Sequence, residues 1–190
     1  MSAEPEAEIW LVRHGETEWS RDGKHTSTTD LPLTAEGERV ALGLRDRLAD
    51  VSFDLVMTSP MQRARETAVL VGHGDAEVDP DLAEWDYGDY EGRTTGEIRE
   101  SVPDWTIWTD PVPGGETADQ VGERLDRVVD RLRGVPTRAL VFGHGHATRA
   151  LTARWLGLPV SDGRLFRLDT ATLSRLGYER ENAVILAWNS

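Results

Sequence analysis

The feature that most constrains the fold is a short apolar run near the start of the chain that leads directly into a charged loop. Ile9 to Val12 is apolar at every position, which predicts a short buried strand, and Arg13, His14 and Gly15 follow it at once. Ligands collect at the carboxyl ends of strands in open α/β sheets, so Arg13 and His14 stand where chemistry is done. Because a single histidine after a strand is more often structural, this stretch alone does not establish a catalyst.

The same design recurs late in the chain. Arg138 to Phe142 reads as a strand, and Gly143-His144-Gly145-His146 follows it and leads into a helix through Trp155. Two separate strand ends therefore offer a histidine beside a glycine. Glycine lets the backbone turn sharply at such a position and approach a ligand closely.

A third apolar strand, Asp54 to Thr58, precedes the stretch Ser59-Pro60-Met61-Gln62, which reads as a capping box with proline at the first helical position. Arg63 and Arg65 then fall in or near the first turn of the helix, where the dipole disfavours a cation unless an anion is bound. The two arginines lie about 200° apart around the helix, so only one of them can face the sheet end.

Other elements follow from periodicity and capping residues. Residues 20–34 read as a long loop, and Thr34 is expected to cap a helix with Val40, Leu44 and Leu48 on one apolar stripe. Thr117 opens a second clear helix that Gly134 ends. Its apolar side consists of Val121, Leu125, Val128, Val129 and Leu132. Further strands are predicted at residues 77–79, 164–168, 172–178 and 183–188, the last two as a hairpin.

Residues 80–116 carry five aromatic residues among acids, glycines and prolines. They are interpreted as an inserted lid or pocket wall with short helices near residues 95–100 and 103–109. No internal repeat or linker divides the chain, so residues 1–190 are expected to form one α/β domain, a three-layer α/β/α structure with a mixed, mainly parallel central sheet.

Charge and cysteine content narrow the classes of partner. The 190-residue chain has a net charge of −13, which argues against nucleic acid or an anionic membrane because such contacts need clustered lysine and arginine. No apolar run approaches membrane-span length, and the acidic start does not resemble a secretory signal. The chain has no cysteine, which excludes disulfides and fits a cytoplasmic address. An exposed tryptophan would mark an interface for a homodimer.

Three chemistries compete for the histidine-rich strand ends. A zinc site is weakly supported, because His144 and His146 are only two residues apart and no HExxH-like spacing or cysteine accompanies them. A dinucleotide site is also weak, since Thr148 stands where the third glycine belongs. Phosphoryl transfer through a phosphohistidine needs a neutral imidazole, cations around the phosphate oxygens and an acid for the leaving oxygen, and every part has a candidate. The carboxylate candidates are Glu84, Asp86, Asp89 and Glu91.

Four motifs, in order along nearly the whole chain, resemble the histidine phosphatase superfamily, also called phosphoglycerate mutase-like. They are Leu11-Val-Arg13-His14-Gly15-Glu16-Thr17, Ser59-Pro-Met-Gln-Arg63-Ala-Arg65-Glu-Thr67-Ala68, Glu84-Trp-Asp-Tyr-Gly88-Asp-Tyr-Glu-Gly92 and Gly143-His144-Gly145. The resemblance implies the fold given above and a small phosphorylated substrate, with no cofactor and no metal. It implies that His14 is the nucleophile and Glu84 the proton donor, and that Arg13, Arg63 and His144 hold the phosphoryl group.

These roles set physical requirements. One nitrogen of His14 must be unprotonated while the other donates to a backbone carbonyl that fixes the ring. Glu84 must carry a proton when the substrate arrives, which burial near Trp85 or the negative charge of the substrate would favour, and must afterwards activate water. His144 is expected to act as an imidazolium or N–H donor.

The superfamily contains mutases and phosphatases. In the phosphoglycerate mutases an asparagine stands where this chain has Ser20, and a pair of arginines corresponds to Thr109-Asp110, so an acidic residue here would repel a second anionic group. A phosphatase is therefore expected, similar to actinobacterial acid phosphatases formerly classed with the mutases and to sedoheptulose-bisphosphatases. A mutase or a non-catalytic phospho-ligand binding module remains the alternative.

The resemblance also extends to the rest of the pocket. It places Ser20, Thr26 and Gly145 at the substrate, and Lys24 and His25 over its distal end. The aromatic residues Trp85, Tyr87 and Trp108 are expected to wall the pocket, although each is equally consistent with ordinary core packing.

Overall fold

A computed structural model describes residues 7–190. Within these residues six strands form one sheet in the order β3-β2-β4-β1-β5-β6. The strands are β1 (Glu8–Arg13), β2 (Leu55–Thr58), β3 (Glu77–Val78), β4 (Arg138–Gly143), β5 (Leu173–Glu179) and β6 (Asn182–Ala187). The pairs among β1 to β4 are parallel, whereas β5 and β6 are antiparallel to their neighbours, so the sheet is mixed and mainly parallel as predicted.

The parallel pairing brings three chain segments to one edge of the sheet. Arg13 at the end of β1 lies opposite Gly143 at the end of β4, and Thr58 at the end of β2 lies opposite Phe142. The ladder continues one residue further, because the amide of His14 donates to the carbonyl of Gly143 at 3.0 Å. The residues that follow β1, β2 and β4 are therefore neighbours in space.

Alternate residues of the central strands face opposite layers of helices, which is why these strands are apolar throughout. Ile9 and Leu11 pack with Val141 in one buried cluster, and Val12 packs with Phe142 in the other. The first cluster contains the inner sides of α6 (Ala118–Arg133) and α7 (Gly145–Trp155). The second contains those of α2 (Ala35–Leu42), α3 (Arg45–Leu48) and α4 (Gln62–Leu70). The predicted three-layer α/β/α class is confirmed.

Several predicted elements have the expected bounds. Thr34 and Thr117 cap α2 and α6 through their side chains, and the five predicted apolar residues of α6 are buried. The strand at residues 77–79 is β3 at the sheet edge, and the C-terminal hairpin is β5 and β6.

Two predictions on the first helices are wrong. The stretch Ser59–Gln62 is not a capping box, because α4 begins at Gln62 and Met61 makes no side-chain cap. The Ser59 hydroxyl accepts from the amide of Met61 at 3.3 Å, before the helix begins, and lies 2.6 Å from Nε2 of a histidine at the sheet edge. The stripe after Thr34 is interrupted at Gly43, where α2 ends before α3 begins; Ala41 takes the buried position and Val40 is exposed.

Three loop predictions also differ from the structure. Residues 164–168 are not a strand, since β5 already pairs with β1 and a 3-10 helix covers Val160–Leu165. Residues 103–109 form turns, with Asp104 in the left-handed region at φ 62°. Residues 20–34 begin inside a short helix, α1 (Glu18–Arg21), which Thr17 and Ser20 cap reciprocally. That helix begins before the predicted loop and was missed.

Residues 80–116 contain α5 (Thr95–Arg99) and short 3-10 helices at Pro80–Leu82 and Gly88–Tyr90. Their aromatic side chains are buried in the same cluster as α6 and α7.

The assignment of residues 1–190 to one domain stays a prediction. All seven tryptophans are buried or half-buried, so none marks a homodimer interface. Across residues 7–190 no helix is both long and apolar enough to cross a membrane.

The loop after β1 is packed tightly against the start of α2. A Cβ atom on Gly37 would lie 2.2 Å from the carbonyl oxygen of Glu16, and one on Gly15 would lie 2.7 Å from the carbonyl oxygen of Gly37. Both distances are too short for real carbon contacts. Glycine at both positions therefore lets α2 support the backbone beside His14.

We predict that Gly37→Ala lowers the free energy of unfolding by about 1–3 kcal/mol, because the added methyl group must displace the loop or the helix. Gly96→Ala, in a helix where the nearest atom would be 3.8 Å away, is the matched control and should raise the stability by about 0.4–1 kcal/mol. Urea denaturation of both variants measures this. Equal stability of Gly37→Ala and the parent would contradict the packing argument.

Candidate active site

A cavity of about 390 Å³ opens at the sheet edge where β1 and β4 end. Its lining includes many of the residues singled out in the sequence: Arg13, His14, Ser20, Lys24, His25, Thr26, Glu84, Tyr87, Trp108 and Gly145. Arg63 and His144 lie beneath this lining and are fully buried, and Trp85 belongs to the core. The structure thus brings the predicted residues together at one place. They form an upper tier that lines the cavity and a lower tier, Arg63 and His144, that lies beneath it.

His14 is held by a single strong hydrogen bond. Its Nδ1 lies 2.7 Å from the carbonyl oxygen of Gly15, and because a carbonyl only accepts, Nδ1 must carry the proton. The unprotonated nitrogen is therefore Nε2, which has no hydrogen-bond partner among the described residues. Burial lowers the pKa of His14 well below its ordinary value, and the charges of Arg63 and Arg13 lower it further, so the ring is neutral.

Arg13 presents unused donors beside His14. Its Nη1 donates to the carbonyl oxygen of Leu168 at 2.5 Å, while its Nε is buried and has no partner within residues 7–190. A Cβ atom on Gly145 would lie 3.4 Å from the guanidinium carbon, so glycine at this position leaves room for the arginine. The arrangement leaves Arg13 able to donate to an anion in the cavity.

Arg63 and His144 form the lower tier. Arg63 Nε donates to His144 Nδ1 at 3.2 Å, and its terminal nitrogens donate to carbonyl oxygens of Thr26, Ser27 and Thr29. His144 Nε2 lies 2.6 Å from the hydroxyl of Ser59. The selection of Arg63 over Arg65 agrees with the geometry, since Arg65 is exposed on α4.

Of the two states expected for His144, an imidazolium or an N–H donor, the geometry fits the second. Its Nδ1 accepts from Arg63, which requires that nitrogen to be unprotonated. Burial, followed by the charge of Arg63, lowers the pKa of His144 well below its ordinary value. Both ring nitrogens are engaged below the cavity, and the rings of His14 and His144 meet edge to face with centroids 5.2 Å apart.

Glu84 enters the cavity from the segment after the edge strand. Its Oε1 accepts from the amides of Trp85 and Ala147 at 2.9 and 2.7 Å, and its Oε2 accepts from the amide of His146 at 3.0 Å. The carboxyl is therefore fixed against the first turn of α7. Because Oε2 accepts only one N–H, it is the oxygen that can take up a proton without losing a donor.

The segment after α1 is clamped over Arg63. Glu91 accepts hydrogen bonds from the amides of Ser27 and Thr29, which presents their carbonyl oxygens to Arg63. Ser20 and Thr26 line the cavity, but their hydroxyls bond to backbone groups of Thr17 and Lys24. Their predicted contact with substrate is therefore not preformed in this structure.

One wall of the cavity is aromatic and uncharged. His25 stacks on Tyr87 with ring centroids 4.7 Å apart, and Tyr87 Oη lies 2.6 Å from His146 Nδ1. Burial lowers the pKa of His25 to about 4 and also lowers the pKa of His146 well below its ordinary value. Burial, reinforced by Glu84, raises the pKa of the Tyr87 hydroxyl well above its ordinary value. These side chains therefore contribute shape and dipoles and no charge.

Sequence reasoning missed several supporting residues. Arg124 on α6 donates to the carbonyl of Glu84 and pairs with Glu116 at 2.7 Å, which holds the segment that carries Glu84. Thr67 accepts from the amide of Gly15 at 3.0 Å. Arg149 lines the cavity from α7. Thr67 lies within one of the four motifs that carry the family resemblance. Arg124 lies on α6, and the only pattern that the sequence shows for this helix is its apolar side, which does not indicate a role for the arginine.

Within residues 7–190, no three histidine, cysteine, aspartate or glutamate side chains converge in a way that could hold a metal ion. The side chains that surround the end of β1 include the neutral imidazole of His14, the guanidinium groups of Arg13 and Arg63, and the carboxyl of Glu84. That set suits a phosphoryl group, which needs a nucleophile, cations and an acid.

Comparison with known proteins agrees with this geometry. The model of the histidine phosphatase superfamily (branch 1) matches residues 9–190. An acid phosphatase of Mycobacterium tuberculosis is 43% identical over 175 residues, covering 90% of this chain and 86% of that protein. A sedoheptulose 1,7-bisphosphatase of Saccharomyces cerevisiae is 39% identical over 183 residues, covering 79% and 68%. A solved structure of a Mycobacterium tuberculosis open reading frame product superposes with a TM-score of 0.92 at 40% identity, covering 96% and 97% of the two chains.

The chain belongs to the histidine phosphatase superfamily. The predicted family and fold are confirmed, and so is the prediction of a phosphatase enzyme.

The buried histidines make stability depend on pH. The pKa of His25 is about 4 in the folded chain against an ordinary value of 6.5, so the unfolded chain binds more protons between these values. The contribution of the neutral, buried His25 to the free energy of unfolding is complete above pH 6.5 and is lost as the pH falls towards 4. We predict that His25→Gln lowers the slope of unfolding free energy against pH in this window by up to about 1.4 kcal/mol per pH unit.

Urea denaturation of parent and variant at pH 7, 6, 5 and 4.5 measures this slope. The parent should keep the steeper dependence because His25 is charged only when unfolded in this window. Identical slopes for the two proteins would contradict the neutral, buried state of His25.

Proposed function

We propose that this chain is a metal-independent phosphomonoesterase that hydrolyses small phosphorylated metabolites through a phosphohistidine on His14. One observation supports this most directly: the hydrogen bond from Nδ1 to the Gly15 carbonyl leaves the lone pair of His14 on Nε2, and His14 lines the cavity. A neutral imidazole with a fixed tautomer is a ready nucleophile. The relatives named as phosphatases support the same class of reaction.

In the first step the substrate phosphate binds to the free donors of Arg13, and Nε2 of His14 attacks phosphorus. The new P–N bond forms as the bond from phosphorus to the ester oxygen breaks. Glu84, protonated on Oε2, gives its proton to that leaving oxygen, and the alcohol departs. Arg13 stabilises the charge on the phosphoryl oxygens during transfer.

In the second step Glu84 is a carboxylate and takes a proton from water as the water attacks phosphorus. The P–N bond breaks, inorganic phosphate forms and His14 returns to the neutral state. The three backbone amides around Glu84 keep its carboxyl in one orientation through both steps. The same group therefore acts first as acid and then as base.

Arg63 and His144 are proposed to act from beneath the phosphoryl site. Four of the five N–H groups of Arg63 are donated to carbonyl oxygens and His144, which leaves one N–H for the substrate. Its main contribution is then positive charge close to the transferred group. The buried His144 fixes the Arg63 guanidinium, and the Ser59 hydroxyl in turn fixes His144.

The charge argument against a mutase does not hold in the structure. The Asp110 carboxylate accepts from the amide of Thr106 and the hydroxyl of Thr109, so it caps its own turn. It does not line the cavity, so the structure shows no direct contact between this carboxylate and a ligand there. The preference for hydrolysis therefore relies on the phosphatase relatives and not on Asp110.

The remaining predictions on partners are kept as proposals. A small phosphorylated molecule is the expected substrate, with no cofactor. Neither nucleic acid nor a membrane is an expected partner of a chain with a net charge of −13. We also propose a cytoplasmic address, which the cysteine-free sequence fits, and leave a homodimer open.

His14→Ala should lower turnover of p-nitrophenyl phosphate by at least about 1,000-fold, because removal of a nucleophile removes the covalent route. His73→Ala is the matched control, since His73 does not line this cavity and lines a separate one beside α4. Steady-state kinetics on both variants, with folding checked by circular dichroism, measures the difference. Full activity of His14→Ala would exclude the proposed mechanism.

Glu84→Gln should slow alkyl phosphates about 100- to 10,000-fold, and activated aryl phosphates far less, because only a poor leaving group needs a proton. The amide oxygen can keep the two hydrogen bonds made at Oε1. Comparing kcat/KM for a series of phosphate esters gives the dependence on leaving-group basicity. Equal losses across the series would show that Glu84 is not the acid.

A further inference from the structure

Glu84 is held by two different parts of the molecule. Its carboxyl accepts from the amides of His146 and Ala147 in the first turn of α7. Its backbone lies in residues 81–86, where the 3-10 helix Pro80–Leu82 ends and no strand follows. Regular secondary structure therefore does not fix this backbone beside α7, and other contacts must do so.

Arg124 on α6 holds the part of this segment that precedes Glu84. It is only 8% exposed, and its Nη1 donates to the carbonyl oxygens of Asp81 and Ala83 at 2.7 and 2.8 Å. Its Nη2 donates to the carbonyl of Glu84 at 3.2 Å. The remaining N–H groups donate to Glu116, so all five donors of the guanidinium are used within the protein. Arg124 therefore has no donor left for a ligand.

Glu116 holds the part of the segment that follows Glu84. While it pairs with Arg124, its Oε2 also accepts from the amide of Asp86 at 2.9 Å. Its carbonyl accepts from Nε1 of Trp85 at 2.9 Å, and its amide donates to the carbonyl of Asp86 at 3.0 Å. The ion pair is thus bonded to the residues on both sides of Glu84.

The loop that carries Glu116 also fits closely against the backbone after Glu84. A Cβ atom on Gly115 would lie 2.3 Å from the carbonyl oxygen of Asp86, and one on Gly88 would lie 2.2 Å from that of Pro113. Neither distance leaves room for a side chain. The two backbones are therefore in direct contact, so a movement of this loop displaces the segment that carries the carboxyl.

The proposed nucleophile is held by separate contacts. His14 bonds to the carbonyl of Gly15, whose amide donates to Thr67. Neither Arg124 nor Glu116 lines the active-site cavity, and the five donors of Arg124 all go elsewhere. Loss of the ion pair should therefore displace the acid and leave the nucleophile in place.

We propose that Arg124 and Glu116 are positioning residues, which act as one unit to set the carboxyl of Glu84 at the leaving oxygen of the substrate. The proposal rests on the proposed function, because it concerns the proton transfer by Glu84. Neither residue contacts the substrate. A displacement of about 1 Å in a reacting group costs about 100-fold in rate, so the ion pair affects catalysis as well as stability.

The test compares glycerol 3-phosphate, an alkyl phosphate, with p-nitrophenyl phosphate, whose leaving group needs no proton. Arg124→Gln and Glu116→Gln should each lower kcat/KM about 10- to 100-fold for the alkyl ester and less than about threefold for the aryl ester. The kcat/KM values are compared because they measure stabilisation of the transition state relative to free enzyme and ester. Circular dichroism checks folding, and either variant is sufficient if the other does not fold.

Arg154→Gln is the matched control. Arg154 on α7 makes the same two-bond contact with Asp126 of α6, at 2.7 and 2.8 Å, and its other hydrogen bond goes to the carbonyl of Leu158. This variant loses a comparable ion pair of α6 that does not touch the segment of Glu84. It should leave the ratio of kcat/KM for the two esters unchanged.

A double-mutant cycle separates positioning from a general loss of structure. If Arg124 acts through Glu84, adding Arg124→Gln to Glu84→Gln should lower kcat/KM for glycerol 3-phosphate by less than about twofold. The double variant Arg124→Gln/Glu116→Gln should likewise be no slower than the slower single variant. Equal losses for both esters in the single variants, or the full further loss in the Glu84→Gln background, would overturn the positioning role.

Failure of the proposed function gives a different result. Full activity of His14→Ala, or equal losses for the two esters in Glu84→Gln, would overturn the proposed mechanism and the positioning role with it. If those two variants behave as expected and Arg124→Gln still slows both esters equally, the positioning role alone is overturned.

Discussion

The site depends on one short hydrogen bond, from Nδ1 of His14 to the carbonyl of the next residue, Gly15. This bond selects the tautomer, leaves Nε2 unprotonated and keeps the ring in place for the proposed transfer of a phosphoryl group. The backbone that provides the carbonyl is itself fixed, because Thr67 accepts from the Gly15 amide and Gly37 packs against Glu16. Much of the surrounding structure can be understood as support for this bond.

The same region contains a buried positive charge that forms no ion pair with a carboxylate among the described residues. Arg63 is fully buried and bonds to carbonyl oxygens and His144 rather than to a carboxylate. Burying a charge is costly unless its donors are satisfied, and the loop clamped by Glu91 supplies the acceptors. The neutral histidines around it avoid further repulsion. A site built in this way is arranged for an anion, which is consistent with phosphoryl transfer.

The sequence predicted the part of the site that consists of residues at the carboxyl ends of strands. Residues after β1 and β4 must meet if the strands are parallel, so the meeting of His14 with His144 follows from two apolar runs and a topology. The role of Ser59 could not be read in this way, because its local sequence fits a capping box equally well, and only the burial of His144 beside it decides its partner. Asp110 was likewise misread because its carboxylate bonds within its own turn.

Hydrogen bonds between residues far apart in the sequence could not be predicted either. Nothing near Glu91 in the sequence indicates that its carboxylate fixes residues more than sixty positions earlier, and Arg124 reaches Glu84 from a helix that is otherwise defined by its apolar side. The 3-10 helix at Val160–Leu165 replaces a predicted strand because the place beside β1 is already taken by β5. These partners and elements depend on which distant segments pack beside them, and the local sequence pattern does not contain that information.

The central claim is that a phosphoryl group passes through Nε2 of His14. Rapid acid-free quenching of the enzyme with a ³²P-labelled ester during a single turnover, followed by peptide mapping and identification of the phosphohistidine isomer, tests it directly. The account predicts an acid-labile, alkali-stable label on His14, attached to Nε2. A label on Nδ1 or on another residue, or complete hydrolysis with no covalent label formed, would contradict it.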